Sequence, residues 1–197
     1  LSLLRDTGGE EETPTIVGIS LPTNLSTPST VDLKIKGSAL ATGTEQFKII
    51  WGDGTNSIET LENGVLASYP HTYTTAGQFV IQVIPITAGV LELFDVIQTD
   101  NCQINGTITL HNTVRPSGFQ YPNNLVTNLN MQQASFVNLN SLVGYNNNMD
   151  ATAVNEALIK LDNSGLLNGI ANFGGGTNDA PSGLGIAAKN SLIGKGW

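Results

Sequence analysis

Cysteine, positive charge and long apolar runs are all scarce in this chain. Cys102 is the only cysteine among 197 residues, which excludes an intrachain disulfide and a zinc site built on cysteines. Lys and Arg number 8 against 16 Asp and Glu, a formal net charge of -8. Neutralising phosphates takes clustered cations, so this composition argues against a nucleic-acid partner. No apolar run approaches the roughly 20 residues that span a bilayer, so no membrane span is expected. Charged residues reach only 12 % while hydrophobic residues make up 40 % and glycine occurs 22 times. That balance favours short strands and tight turns over long helices, in a chain long enough for one large domain or two small ones.

What the sequence does contain, first of all, is alternation. Arg5 to Thr15, "RDTGGEEETPT", is acidic and glycine-rich and reads as solvated linker, placed at residues 1–14. From Ile16 to about Ile86 the pattern is all-β. "TIVGISLP" predicts a strand closed by Pro22. "VDLKIKG" sets Val31, Leu33 and Ile35 against Asp32, Lys34 and Lys36, the period of two that marks a half-buried strand. "FKIIW" and "QFVIQVIPI" predict two more, the latter with Phe79, Ile81 and Val83 on one face.

Asp53 and His71 are the residues here most easily read as chemistry. Each also has a turn explanation. "GDGT" follows the strand that ends at Trp51, and Asp-Gly is a strong hairpin dipeptide because glycine tolerates positive φ. "HTYTTAG" is the corner into the strand that resumes after Gly77, where a tyrosine packs its ring and bonds its hydroxyl to backbone. Trp51-Gly52-Asp53-Gly54-Thr55, His71-Thr72-Tyr73 and Gly77-x-Phe79-x-Ile81-x-Val83, in that order, resemble the PKD (polycystic kidney disease) repeat family. Phe79 stands where that family usually has tyrosine, and its common Trp-x-Phe before the turn is lacking. The resemblance covers residues 15–88 and implies an Ig-like β-sandwich used as a spacer or adhesion module.

The texture changes from about Val90. Asn-rich segments carry Leu125, Leu129, Met131, Leu139 and Leu142 at short, uneven intervals, which predicts short strands and turns stacked in a small solenoid, with Asn capping the turns. This stretch weakly resembles leucine-rich repeats of the bacterial surface type. A helix is expected from Asp150 as N-cap, with Val154, Leu158 and Leu161 on one face and Gly165 past its end. A second is expected with Pro181 at its first helical position, Asp179 or an adjacent residue as cap and Gly194 as its stop. The order of helix, glycine-rich strand, "APSG" and closing "GW" over residues 150–197 resembles a C-terminal module of virion and surface proteins of Bacteroidetes and their phages.

No catalytic, cofactor-binding or metal-binding residue is expected, and ligand-binding residues are left unassigned. An Asp53/His71 acid–base pair lacks a nucleophile in a recognisable context. "FGGGTNDAPSG" lacks the Gly-Lys-Ser/Thr ending of a phosphate loop. Asp53, Asp95, Asp100 and Asp150 are too dispersed for a calcium loop, and His111 is alone. Phe119, Tyr121 and Tyr145 are candidates for a glycan or protein contact, although packing into small cores explains them better. Ile186, Leu192, Ile193 and Trp197 either cap the leucine-rich layer or complete their burial against a partner.

The expected fold is mainly β: an Ig-like (PKD) β-sandwich over residues 15–88 and a small α/β leucine-rich-like module with two C-terminal helices over residues 89–197. The expected role is non-enzymatic, as a phage virion component (capsid decoration, head fibre or tail-associated). A bacterial cell-surface adhesin or glycan-binding accessory protein is the alternative. Expected partners are other virion or surface proteins and, as a further candidate, a host glycan, with the chain as a multimeric component.

Overall fold

The computed structural model describes residues 18–99, 102–110, 116–131 and 136–197. The linker at 1–14, His111 and Asp100 lie outside the described residues. Where it is described, the chain is mainly β, with two sheets and two α-helices.

Strands β1 (Ile19–Leu25), β2 (Ser29–Gly37), β3 (Gln46–Ile50), β4 (Asn56–Thr60), β5 (Leu66–Tyr73) and β6 (Gly77–Pro85) form the first half. The alternation does its expected work: Val31, Leu33 and Ile35 are buried, as are Ile81 and Val83, while Phe79 is half-buried. A 3-10 turn over Val90–Leu93 leads to β7 (Phe94–Gln98) and β8 (Asn105–Leu110). Then come β9 (Gly118–Gln120), β10 (Leu125–Asn130), β11 (Ser141–Val143), helix α1 (Ala151–Asn163), β12 (Ile170–Asn172) and helix α2 (Gly183–Gly194).

One sheet runs β10-β8-β1-β6-β3-β4 and the other β12-β11-β9-β7-β2-β5. Both continue across residue 88. β1 pairs antiparallel with β8, and β2 antiparallel with β7, so one hydrophobic core extends from Phe47 and Trp51 to Leu161 and Leu192. Beyond these two pairings the strands turn parallel: β8 with β10, and β7, β9, β11 and β12 in succession.

The parallel half is a stack of four rungs. Val96, Gly118, Ser141 and Ile170 stand in register across the four rungs on the second sheet. The chain returns on the opposite side through β8, β10, α1 and α2 in turn. Such spacing falls within the roughly 20–29 residues of a short solenoid unit. Asparagines join each later rung to the one before, Asn124 and Asn147 buried and Asn178 half-buried. Asn124 accepts from Ile104 N at 2.9 Å and donates to Thr99 O at 2.7 Å; Asn147 accepts from Val126 N at 3.0 Å and donates to Tyr121 O at 2.8 Å. Asn178 repeats the pair with Met149 N at 3.0 Å and Gly144 O at 2.8 Å. Asn124 and Asn147 each meet four backbone groups and Asn178 three, which fixes the turns without an orphaned donor.

Several expectations need correction. Pro22 does not close the first strand but sits inside β1 opposite Val80. It is tolerated because β1 pairs with β8 only at Ile19 and Ser20, leaving no donor required at residue 22. Leu125 is exposed, whereas Leu129, Met131, Leu139 and Leu142 are buried. Asp150 does cap α1, accepting from Ala153 N at 2.8 Å, and Gly165 follows in the left-handed region. For α2, however, the N-cap is Ser182, not Asp179, and Pro181 lies outside the helix. α2 does stop at Gly194, and the left-handed glycine beyond it is Gly196, at φ 85.

Candidate functional site

Two places bring chemically interesting side chains together. The first is the corner where the β3–β4 turn meets β5. Asp53 lies two residues past Trp51 because Gly52 and Gly54, at φ 85 and 91, allow the turn. A Cβ on Gly52 would fall 2.7 Å from Val80 N, so only glycine lets the turn lie this close to β6. Asp53 accepts from the Thr55 hydroxyl at 2.6 Å and stands 2.8 Å from His71 Nε2. The His71 ring stacks on Trp51 at 4.5 Å and meets Tyr73 edge-on at 4.6 Å, and Tyr73 stacks on Phe79 at 4.4 Å. Tyr73, buried, donates its hydroxyl to Trp51 O at 2.7 Å.

Burial raises the Asp53 carboxyl, but the bonds from Thr55 and His71 outweigh it and hold the group down at about 2, against an ordinary 3.8. Burial is the larger influence on Tyr73, whose hydroxyl is pushed well above the usual range. The sequence-predicted pair is thus brought together, with His71 occupied by a carboxylate and an indole. The arrangement clamps a turn of one sheet to an edge strand of the other.

The second place is the end of the stack. Among the described residues β12 pairs with β11 alone, so its other edge carries no described strand. Beside that edge a groove of about 420 Å³ is lined by Leu158, Ala171, Phe173, Leu192, Ile193 and Trp197. Leu192 is buried, and Trp197 donates Nε1–H to Leu166 O at 2.9 Å. The Trp197 ring lies against Gly169, where a Cβ would fall 2.5 Å from it. Lys195 fixes the end of α2 to Asp162 at 2.6 Å. Ile186 and Ile193 face solvent, at 47 % and 59 % exposure. Of the four apolar residues singled out at this terminus, two therefore cap the stack and two stand outside it.

The remaining candidates are separated. Asp95 bonds Lys36 at 2.6 Å and the Ser117 hydroxyl, which together outweigh burial and lower its carboxyl. Asp150 caps α1. Among the described residues no three His, Cys, Asp or Glu side chains converge as a metal site. Phe119 and Tyr121 are fully buried and unavailable to a glycan, because they fill the core between rungs; Tyr145 is half-buried. In the glycine-rich loop Gly175 and Gly176 take positive φ and Asn178 holds the turn, as in the earlier rungs. Among the described residues no helix is long and apolar enough to cross a membrane. The expected capping of turns by Asn is seen at Asn124 and Asn147, but sequence reasoning missed that both point inward and bond the preceding rung. Their signal is the pair of doublets Asn123-Asn124 and Asn146-Asn147, whose first members take positive φ.

No protein family, curated protein or solved structure matches the chain.

Proposed function

We propose that this chain is a non-enzymatic structural protein, a phage virion component that displays an Ig-like domain of PKD type and docks to another virion protein through a leucine-rich-like end. One observation carries the reading: the groove at β12 and α2, apolar and beside a strand whose outer edge is unpaired among the described residues, stands at the far end from the sandwich. Solenoid stacks require their terminal units to be covered or polar, and here Ile170 and Ile193 are exposed at 61 % and 59 %. The clamp of Trp51, Asp53, His71 and Tyr73 supports the sandwich half of the reading, since it gives the resembling motifs a shared purpose. Support for the rest comes from the motif order.

Ile193→Asp tests it. The residue touches solvent, so the fold and melting temperature should persist while incorporation into particles falls. Undiminished incorporation by a folded variant rejects this end as the docking surface. Recovery of the native protein in a bacterial envelope fraction, not in particles, moves the role to the cell surface.

A further inference from the structure

The sandwich has a lateral opening that the docking reading does not use. β4 ends one sheet and β5 the other, and between these two edges lies a cleft of about 770 Å³. Its walls come from side chains that face inward. Ser57 and Glu59 stand opposite Ile49 and Phe47 of β3, both fully buried, and Tyr69 and His71 stand opposite Leu33 and Val31 of β2. Inward positions of a sandwich are ordinarily apolar. Here they offer two hydroxyls and a carboxylate, and Glu62 adds a second carboxylate at the rim.

Among the described residues these hydroxyls and carboxylates lack partners. Tyr69 is only 9 % exposed, its ring edge-on to Phe47 at 5.6 Å, yet its hydroxyl makes no hydrogen bond among the described residues. The Ser57 hydroxyl is buried and equally without one. Glu59 and Glu62 form no ion pair among the described residues, though both charges reach Tyr69. After burial, they are what push its hydroxyl up to about 12. A buried hydroxyl left unpaired, as at Ser57, costs stability, and the Tyr69 hydroxyl beside it opens to the cleft with no protein partner among the described residues, so the site has groups to offer a visitor.

We propose that the β4–β5 cleft binds the cationic head of a Lys or Arg side chain on a basic partner segment. Carboxylates only accept hydrogen bonds, and the two hydroxyls are free to accept as well, so the site calls for a ligand that donates and carries positive charge. A guanidinium or ammonium group does both, and two carboxylates beside a half-dry aromatic wall raise the value of each contact. The net charge of -8 adds a long-range pull on the same class of partner.

The test titrates the full chain with acetyl-arginine amide and acetyl-lysine amide, following backbone amide signals by NMR. Acetyl-citrulline amide serves as the neutral isostere of the arginine probe. Saturable shifts confined to residues 55–62 and 67–71 are expected with the cations and absent with citrulline. Glu59→Gln with Glu62→Gln should weaken binding at least about tenfold, as loss of charged hydrogen bonds implies. Tyr69→Phe keeps the ring against Phe47 and should weaken binding about threefold at unchanged melting temperature. Shifts spread over all surface carboxylates, equal shifts with citrulline, or no loss in the double variant would overturn the proposal. Glu59 would then be a guard that keeps a sheet edge from pairing with other chains. Particle incorporation of the double variant is unaffected by either result, so this test and that of Ile193 fail independently.

Discussion

Removing the Asn147 amide measures what the buried asparagines contribute. Asn147 is 1 % exposed and makes four bonds: it accepts from Val126 N and donates to Tyr121 O, Gly144 O and Tyr145 O. In Asn147→Ala the three carbonyls keep other donors. Tyr121 O still receives Asn124, Gly144 O receives Asn178, and Tyr145 O receives the Asn123 amide. Val126 N–H alone is orphaned, at a cost of about 1–3 kcal/mol, and the three thinned carbonyls add roughly 1 kcal/mol more. The expected loss is therefore about 2–4 kcal/mol, not four full bonds. With a urea slope near 2.5 kcal/mol per molar, the midpoint should fall by roughly 1 to 1.5 M. Asn147→Asp sharpens the test. Its carboxyl retains the bond from Val126 N but faces three carbonyls, so the neutral acid is favoured and its folded pKa lies above the unfolded value. Relative to the unsubstituted chain, the stability of that variant should be near its best below the ordinary Asp range and fall as pH rises through the raised pKa. Urea curves at pH 3 and pH 7, read by circular dichroism, check both. A loss under about 1 kcal/mol in Asn147→Ala, or an Asp variant whose deficit against the unsubstituted chain is smaller at neutral pH than at acid pH, refutes the reasoning.

Two more outcomes follow from the corner and from the sheets. Asp53 has a folded pKa of about 2, below its ordinary 3.8, so its contribution is present above about pH 4 and fades as pH falls towards 2; Asp53→Asn should flatten that part of the acid unfolding curve. A fragment of residues 18–88 keeps only β2 and β5 of the second sheet, and a two-stranded sheet is marginal. Extending it to residue 99 restores β7, so the longer fragment should melt cooperatively at higher temperature; equal melts would mean β7 adds nothing to the sandwich.

Strand identity was legible wherever alternation was strict, as at Val31, Leu33 and Ile35, because burying one face leaves a period that survives in the sequence. The corner was legible too, since Gly52, Asp53, Gly54 and Tyr73 each answer a local backbone demand. Pro22 misled because its tolerance depends on how far β8 runs alongside β1, a fact set by residues about ninety positions away. Leu125 misled because leucine content alone does not give the facing; its neighbour Val126 takes the inward place. Asn124 and Asn147 resembled ordinary turn asparagines, and only the stacking of one rung on another makes them interior residues. The β4–β5 cleft was invisible for the same reason. Ser57 and Tyr69 belong to different sheets, and nothing local announces that they share a space.

The change from antiparallel to parallel pairing at β7 and β8 also sets what evolution can do with this molecule's length. Each rung receives its predecessor's backbone through the same two asparagine bonds and offers the same groups onward. A whole rung inserted or deleted within the stack would therefore leave the sandwich untouched and move the far end by one strand spacing, about 4.8 Å. The sandwich is then a foundation stone that also seals one end of the column. The distance it holds between its two ends is adjustable in fixed steps, as on a ruler.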